Sequence, residues 1–344
     1  MEAVAAELRA AMATLDPPAA VRRPGDVAAA FRRLLPRLAT EPAPDPSALP
    51  FRFDPALGAA ETGRAIAAAH RRMARTGRPS LPGLLAAAYD GIGMAPEAPE
   101  RRAAMVAAVL AAATPAPRFH DLRHTREVVA NAIWLAAATP RLSAGERALL
   151  FLAATVHDLG HDGGTNARVD ADGRQRTIPC LLEDRSLGLI LPVARRAGLA
   201  PARIAALVAM VRQTDIARRA GLTALHDAVL GEGASPARAT GPEDDPERLR
   251  ARPRVLLATA VLADADVLTS AGLTRASQRV QDARLAAERG TAVDPAVGLR
   301  FFDRLLGGRF ITAAGRRLDP NLRRLRAALA AAGSESRALT SPDA

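Results

Sequence analysis

Thr155-Val156-His157-Asp158-Leu159-Gly160-His161-Asp162-Gly163-Gly164-Thr165-Asn166 begins inside an apolar run, 148–156, that carries a His-Asp pair to its end. Imidazole and carboxylate are the ligands that divalent metals such as Zn, Mn and Fe prefer. Placing both at the end of a buried apolar segment is costly unless a metal or another charge compensates them. A lone His-Asp pair reads more simply as a satisfied core histidine beside a helix-terminal aspartate. Here the chain has six histidines, four of them between positions 120 and 161. That clustering favours ligands.

The upstream partner is Arg118-Phe119-His120-Asp121-Leu122-Arg123-His124-Thr125-Arg126-Glu127-Val128-Val129. His120 and His124 are four apart and share one face of a helix. One can hold a metal while the other points at substrate. Alone, this segment reads equally well as a solvated helix face, because arginines and acids surround the histidines. His157-Asp158 some thirty residues on makes the site reading the favoured one.

Together the two segments resemble the catalytic core of HD-domain metal phosphohydrolases, most closely the cyclic nucleotide phosphodiesterase branch. That branch carries Tyr-His-Asn-x-x-His-x-x-Asp-Val, matched here by Phe119 to Val128. It then carries His-Asp-x-x-His-x-Gly-x-x-Asn, matched by His157 to Asn166. Leu182-Glu183, Thr214-Asp215-Ile216 and Ala265-Asp266-Val267 are similar to three later family segments, in the same order. The resemblance covers residues 118–270. Phe119 replaces the family's Tyr, Asp121 replaces Asn and Asp162 replaces Pro. The late glutamine and phenylalanine that grip the purine in animal enzymes have no matching counterpart. Gln278 and Phe310 exist in different surroundings.

The resemblance implies an all-α, phosphodiesterase-like bundle of roughly a dozen helices around one metal pocket. It implies two divalent metals, drawn from Zn, Mn, Fe or Mg. The first would be held by His124, His157, Asp158 and Asp266, with Asp158 bridging to the second. Water acidified by the metals would attack phosphorus. His120 would act as general acid on the leaving oxygen. His161 would orient water, with Glu183 and Asn166 in supporting positions. Asp264 competes with Asp266 for the last ligand place, since residues two apart on a helix cannot both face one site. Val267-Leu268 after Asp266 fit the family pattern and favour Asp266. The implied activity is hydrolysis of a 3',5'-cyclic nucleotide, with a small anionic phosphoester as partner. Two other readings stay open: an HD-type enzyme for other nucleotides or phosphomonoesters, and a non-catalytic signalling module. The complete ligand set argues against the second.

Composition adds bounds. The chain has 344 residues, 49% apolar and 3% aromatic, with a net charge of +11. Alanine, leucine and arginine favour helix, and strand signals are nearly absent. All 47 basic residues are arginine. Such a bias reads as genome composition, and no basic block with interleaved aromatics appears, so nucleic acid is not the expected partner. The single cysteine, Cys180, excludes an internal disulfide and thiolate clusters. No apolar run reaches the ~20 residues of a membrane span. The start Met1-Glu2-Ala3-Val4 lacks a basic, cleavable leader. A cytoplasmic enzyme is expected.

Residues 1–95 read as an N-terminal helical segment packed on the core, 96–332 as the catalytic domain, and 333–344 as a disordered tail. Residues 41–50 are proline-rich and stiff. Residues 162–180 read as a loop over the site, and 231–252 as mobile. His70 reads as a surface or packing residue. His226-Asp227, lacking a companion histidine, reads as unrelated to the metal site.

Overall fold

A computed structural model describes residues 2–15, 24–41, 53–113, 118–170, 172–231, 245–292 and 294–339. Sixteen α-helices account for most of these residues. The N-terminal segment contributes α1 (Glu2–Leu15), α2 (Pro24–Thr40), α3 (Ala59–Thr76) and α4 (Leu81–Gly91). The centre is built from α5 (Pro99–Ala113), α6 (Leu122–Ala137), α7 (Ala144–Val156), α8 (Leu181–Ala197), α9 (Pro201–Arg212) and α10 (Arg219–Leu230). After α11 (Asp245–Arg250) come α12 (Pro253–Ala271) and α13 (Arg275–Arg289). Then follow α14 (Pro295–Arg300), α15 (Ala313–Arg316) and α16 (Asp319–Leu339).

Local chemistry sets the ends of these helices. Asp121 caps α6, its carboxylate accepting from the His124 amide at 2.9 Å. Ser143 and Glu146 form a reciprocal capping box at the start of α7. Gly198 closes α8 in the left-handed conformation, which glycine adopts at little steric cost. The 148–156 run of α7 is buried throughout. It packs against α5, α6 and α12, and α6 packs along α12. Leu8, Leu15, Leu34 and Leu38 lie in the same hydrophobic cluster as Val106, Leu150 and Leu262. The N-terminal helices therefore share the core of the centre.

Four expectations need correction. The span 162–180 is not all loop: β1 (Ala167–Val169) and β2 (Gln175–Thr177) pair antiparallel within it. Both strands are three residues long and almost wholly exposed, so they carry none of the apolar alternation by which strands are read. Within 231–252, Asp245–Arg250 is helical, while 232–244 fall outside the described residues. The helix count exceeds a dozen because short turns such as α11, α14 and α15 are separate elements. α16 runs to Leu339, beyond the expected start of the tail. Most of the proline-rich 41–50 stretch lies outside the described residues. No single described helix is long and apolar enough to cross a membrane.

Candidate metal centre and active site

Three helices deliver four side chains to one point. His124 sits in the first turn of α6, His157 caps the end of α7 with Asp158 next to it, and Asp266 lies on α12. His124 Nε2 is 3.2 Å from both Asp158 Oδ2 and Asp266 Oδ1. His157 Nε2 is 3.2 Å from Asp158 Oδ2 and 3.5 Å from Asp266 Oδ1. The two Nε2 atoms are 3.4 Å apart. His157 Nδ1 lies 3.0 Å from the Ala154 carbonyl. That contact makes Nδ1 the protonated nitrogen and turns the Nε2 lone pair inward, as ligating histidines require.

The donor set fits a divalent ion. Asp158 Oδ2 is buried and makes no directed hydrogen bond among the described residues, yet two imidazole nitrogens crowd it. Two nitrogens and two carboxylates suit Zn, Mn or Fe. Burial opposes charge on both histidines, but the Asp158 and Asp266 carboxylates outweigh it. They raise His124 to about 9 and push His157 up as well. Burial works against ionising both aspartates too, and the histidines hold them well below the usual carboxylate range. An ion held here by His124, His157, Asp158 and Asp266 would have to compete with protons for the imidazoles.

Asp264 does something else. It is fully buried, with Oδ1 2.7 Å from the Arg219 guanidinium and 2.9 Å from the Ile311 amide. Oδ2 accepts from the Thr312 amide and hydroxyl, each at 2.8 Å. Three of its four bonds anchor the 311–312 segment to α12, the fourth holds Arg219 of α10, and it does not join the ligand cluster.

A second cluster lies beside the first. His120 Nδ1 is 2.7 Å from Glu288 Oε1 on α13. Glu288 Oε2 accepts from the Phe119 amide at 2.6 Å and the His120 amide at 3.1 Å. The His161 ring stacks on that of His120, with centroids 3.7 Å apart and planes 16° off parallel. His161 Nδ1 accepts from the Gly163 amide at 2.9 Å, which leaves Nε2 as its donor. Burial lowers His161 to about 4 against the pull of the Asp158 carboxylate, so its ring is neutral near pH 7. The pocket lined by His120, Asp158 and His161 measures about 10 Å³, room for roughly one water.

Glu183 and Asn166 are bonded to each other rather than to the ligands. Asn166 Nδ2 donates to Glu183 Oε2 at 3.1 Å, and Asn166 Oδ1 accepts from the Leu182 amide at 2.9 Å. Burial, with Asp215 and Asp158 nearby, raises Glu183 to about 7. Cys180 is buried, as a small apolar residue would be, but it is not isolated. Its thiol lies 3.0 Å from the Arg218 guanidinium, and its amide donates to Asp215. His226-Asp227 stands apart: Asp227 pairs with Arg309 and Arg316.

Sequence reasoning missed Glu288. Its only trace is a polar stripe on α13, Gln281, Arg284 and Glu288, which also describes a solvated face. Arg284 missed notice for the same reason. Its guanidinium donates to the Phe119 carbonyl at 2.7 Å and to Asp121 at 2.6 Å, pinning the start of α6.

No family model and no curated protein matches the chain. Solved structures do. The structure of LmjPDEB1 in complex with IBMX aligns with a TM-score of 0.54 at 14% identity. The alignment covers 91% of this chain and 98% of that one. This chain has the fold of phosphodiesterase catalytic domains. The phosphodiesterase domain of the RhoPDE fusion protein from the choanoflagellate Salpingoeca rosetta aligns with TM-score 0.52 at 15% identity, covering 88% and 99% of the two chains. A second structure of the Salpingoeca rosetta rhodopsin phosphodiesterase domain aligns with TM-score 0.53 at 15% identity, covering 88% and 96%. The alignments cover 88% to 91% of this chain.

Proposed function

We propose that this chain is a metal-dependent phosphodiesterase acting on 3',5'-cyclic nucleotides. The observation that carries the reading is the convergence of His124, His157, Asp158 and Asp266 beside the His120–Glu288 pair. His124, His157, Asp158 and Asp266 would hold one divalent ion, and Asp158 would face a second. Bound metal supplies Lewis-acid charge that acidifies water and neutralises phosphoryl oxygens. Glu288 accepts the Nδ1 proton of His120 and holds the ring. His120 then presents its Nε2 proton to the leaving oxygen. His161, neutral and with Nε2 as donor, orients water over Asp158. Glu183 and Asn166 brace the wall behind it.

The test is a substrate panel with defined metals: cyclic mononucleotides, cyclic dinucleotides, phosphomonoesters and a nitrophenyl phosphodiester. Metal-dependent ring opening of cyclic mononucleotides is the expected result. Activity confined to phosphomonoesters would overturn the assignment.

A further inference from the structure

Gln281, Arg284 and Glu288 form a stripe along α13, at the three- and four-residue spacing that aligns side chains on one helix face. All three reach across to the start of α6 and the residues before it. Glu288 takes the ring and amide of His120 and the amide of Phe119. Gln281 donates to Glu127 Oε2 at 2.9 Å. Arg284, between them, holds the segment from several sides. Its Nη2 donates to the Phe119 carbonyl at 2.7 Å and to Asp121 Oδ1 at 2.6 Å. Its Nε donates to the Arg118 carbonyl at 3.3 Å. Its Nη1 donates to Gln281 Oε1 at 2.8 Å, which steadies the guanidinium from behind. The guanidinium also lies over the Phe119 ring, 5.5 Å from the centroid, within range of a cation–π attraction. The Arg284 side chain is 13% exposed, so little water competes for these bonds.

What Arg284 holds lies between the proton donor and the metal ligands. The peptide joining Phe119 to His120 is bonded at both ends, its carbonyl to Arg284 and its N–H to Glu288. The plane that carries His120 therefore cannot turn without breaking a bond to α13. The Phe119 ring meets the His120 ring edge-on at 4.7 Å and tilts against the His124 ring at 5.2 Å. Asp121 Oδ1 receives the Arg284 bond and also the His124 amide at 2.9 Å. One guanidinium thus bears on the residue before His120, on the residue after it and, through Asp121, on the first turn of α6. Asp121 stands where the resembled family carries Asn, so here the contact is an ion pair, and charge-assisted bonds are the shorter and stronger kind.

We propose that Arg284 is a positioning residue for proton transfer: it locks the Phe119–His120 peptide and so keeps the His120 ring aimed at the leaving oxygen. The proposal rests on the phosphodiesterase reading for the role of His120 as acid. Arg284 touches no reacting atom in this scheme and acts only through His120. Lysine in its place would keep the charge but lack the planar fork that serves Phe119 and Asp121 together.

The experiment compares Arg284→Ala, Arg284→Lys, His120→Ala and the Arg284→Ala/His120→Ala double variant in the full, metal-loaded chain. Arg284→Ala should keep its fold and its metal and lose about tenfold to a hundredfold in kcat on 3',5'-cyclic AMP, as when a support behind an active group is removed. KM should change little. The loss should shrink on methyl p-nitrophenyl phosphate, whose leaving group needs no proton. Added to His120→Ala it should cost nothing further, because residues that act as a unit are not additive. Arg284→Lys should recover part of the turnover, and it carries the same comparison should the alanine variant fail to fold. Equal losses on both substrates, or a loss that multiplies with that of His120→Ala, would overturn the proposal. A second readout needs no turnover. The Nδ1 proton that His120 shares with Glu288 should give a downfield proton resonance in wild type, assigned by its absence from His120→Ala. It should broaden or vanish in the Arg284 variants; an unchanged resonance there would also overturn the proposal. Wild type that hydrolyses neither diester would sink the phosphodiesterase reading, and the resonance alone would then decide whether Arg284 holds His120.

Discussion

Glu288 grips His120 at two points, the ring nitrogen Nδ1 and the amide, and the preceding residue at a third, the Phe119 amide. Burial acts to raise its pKa, but these bonds outweigh it and hold Glu288 at about 2, from an ordinary 4.5. A depressed carboxylate stabilises the fold above its unfolded pKa and loses that contribution as pH falls through the folded one. Wild type should therefore lose stability between about pH 4.5 and 2, and Glu288→Gln should flatten that segment of the curve. Urea midpoints across the interval measure it. The same variant should lower turnover by roughly tenfold to a hundredfold, the usual cost of removing a support behind an active group.

His120→Ala should keep its metal and lose about a hundredfold to ten-thousandfold in turnover on a cyclic nucleotide. On a nitrophenyl diester the loss should shrink, because that leaving group needs no proton. An equal loss on both substrates, with metal retained, would remove His120 from the role of acid.

The two aspartates of α12 should separate by phenotype. Asp266→Asn should fold normally and lose metal and activity. Asp264→Ala leaves the buried Arg219 guanidinium uncompensated, a change that costs about 3–5 kcal/mol. Gly315→Ala should act in the same direction, since an added Cβ would meet Asp264 Oδ2 at 2.5 Å. Thermal melts of the three variants decide. A wild-type melt for Asp264→Ala would show that its bonds do not anchor the 311–312 segment.

Elemental analysis of purified protein should find one to two divalent ions per chain, and Asp158→Ala should lose most of them. Because His124 is held at about 9 by the neighbouring carboxylates against its burial, protons compete with metal up to that pH. Apparent metal affinity should rise steadily from pH 6 to about 9. A flat profile would show that His124 is not a ligand.

The histidines and aspartates of the metal cluster were legible because each sits in a short local pattern: His124 four residues from His120, and His157 at the close of an apolar run. The helices were legible because alanine and leucine repeat at helical spacing. Glu288 was not, since 168 residues separate it from His120 and its own neighbourhood looks like any polar helix face. Asp264 shows the same limit from the other side. From the sequence it could only be set against Asp266 by register, because the partner that occupies it, Arg219, lies 45 residues away. The hairpin at 167–177 escaped notice because its side chains are exposed on both faces and record no core.

Asn131 ties α6 to α12 between the two ligand-bearing ends. Its amide donates to the Ala265 carbonyl at 2.9 Å and to the Thr269 hydroxyl at 3.2 Å. The helices are thus stapled one residue from Asp266, at a depth where no water competes. Sliding either helix by a turn would break both bonds, so His124 and Asp266 keep their spacing whether or not an ion is present. A divalent ion bound there would meet a jaw already set. Ions of different radius would have to adapt to that gauge, and preference among them would become a matter of fit rather than of helix movement.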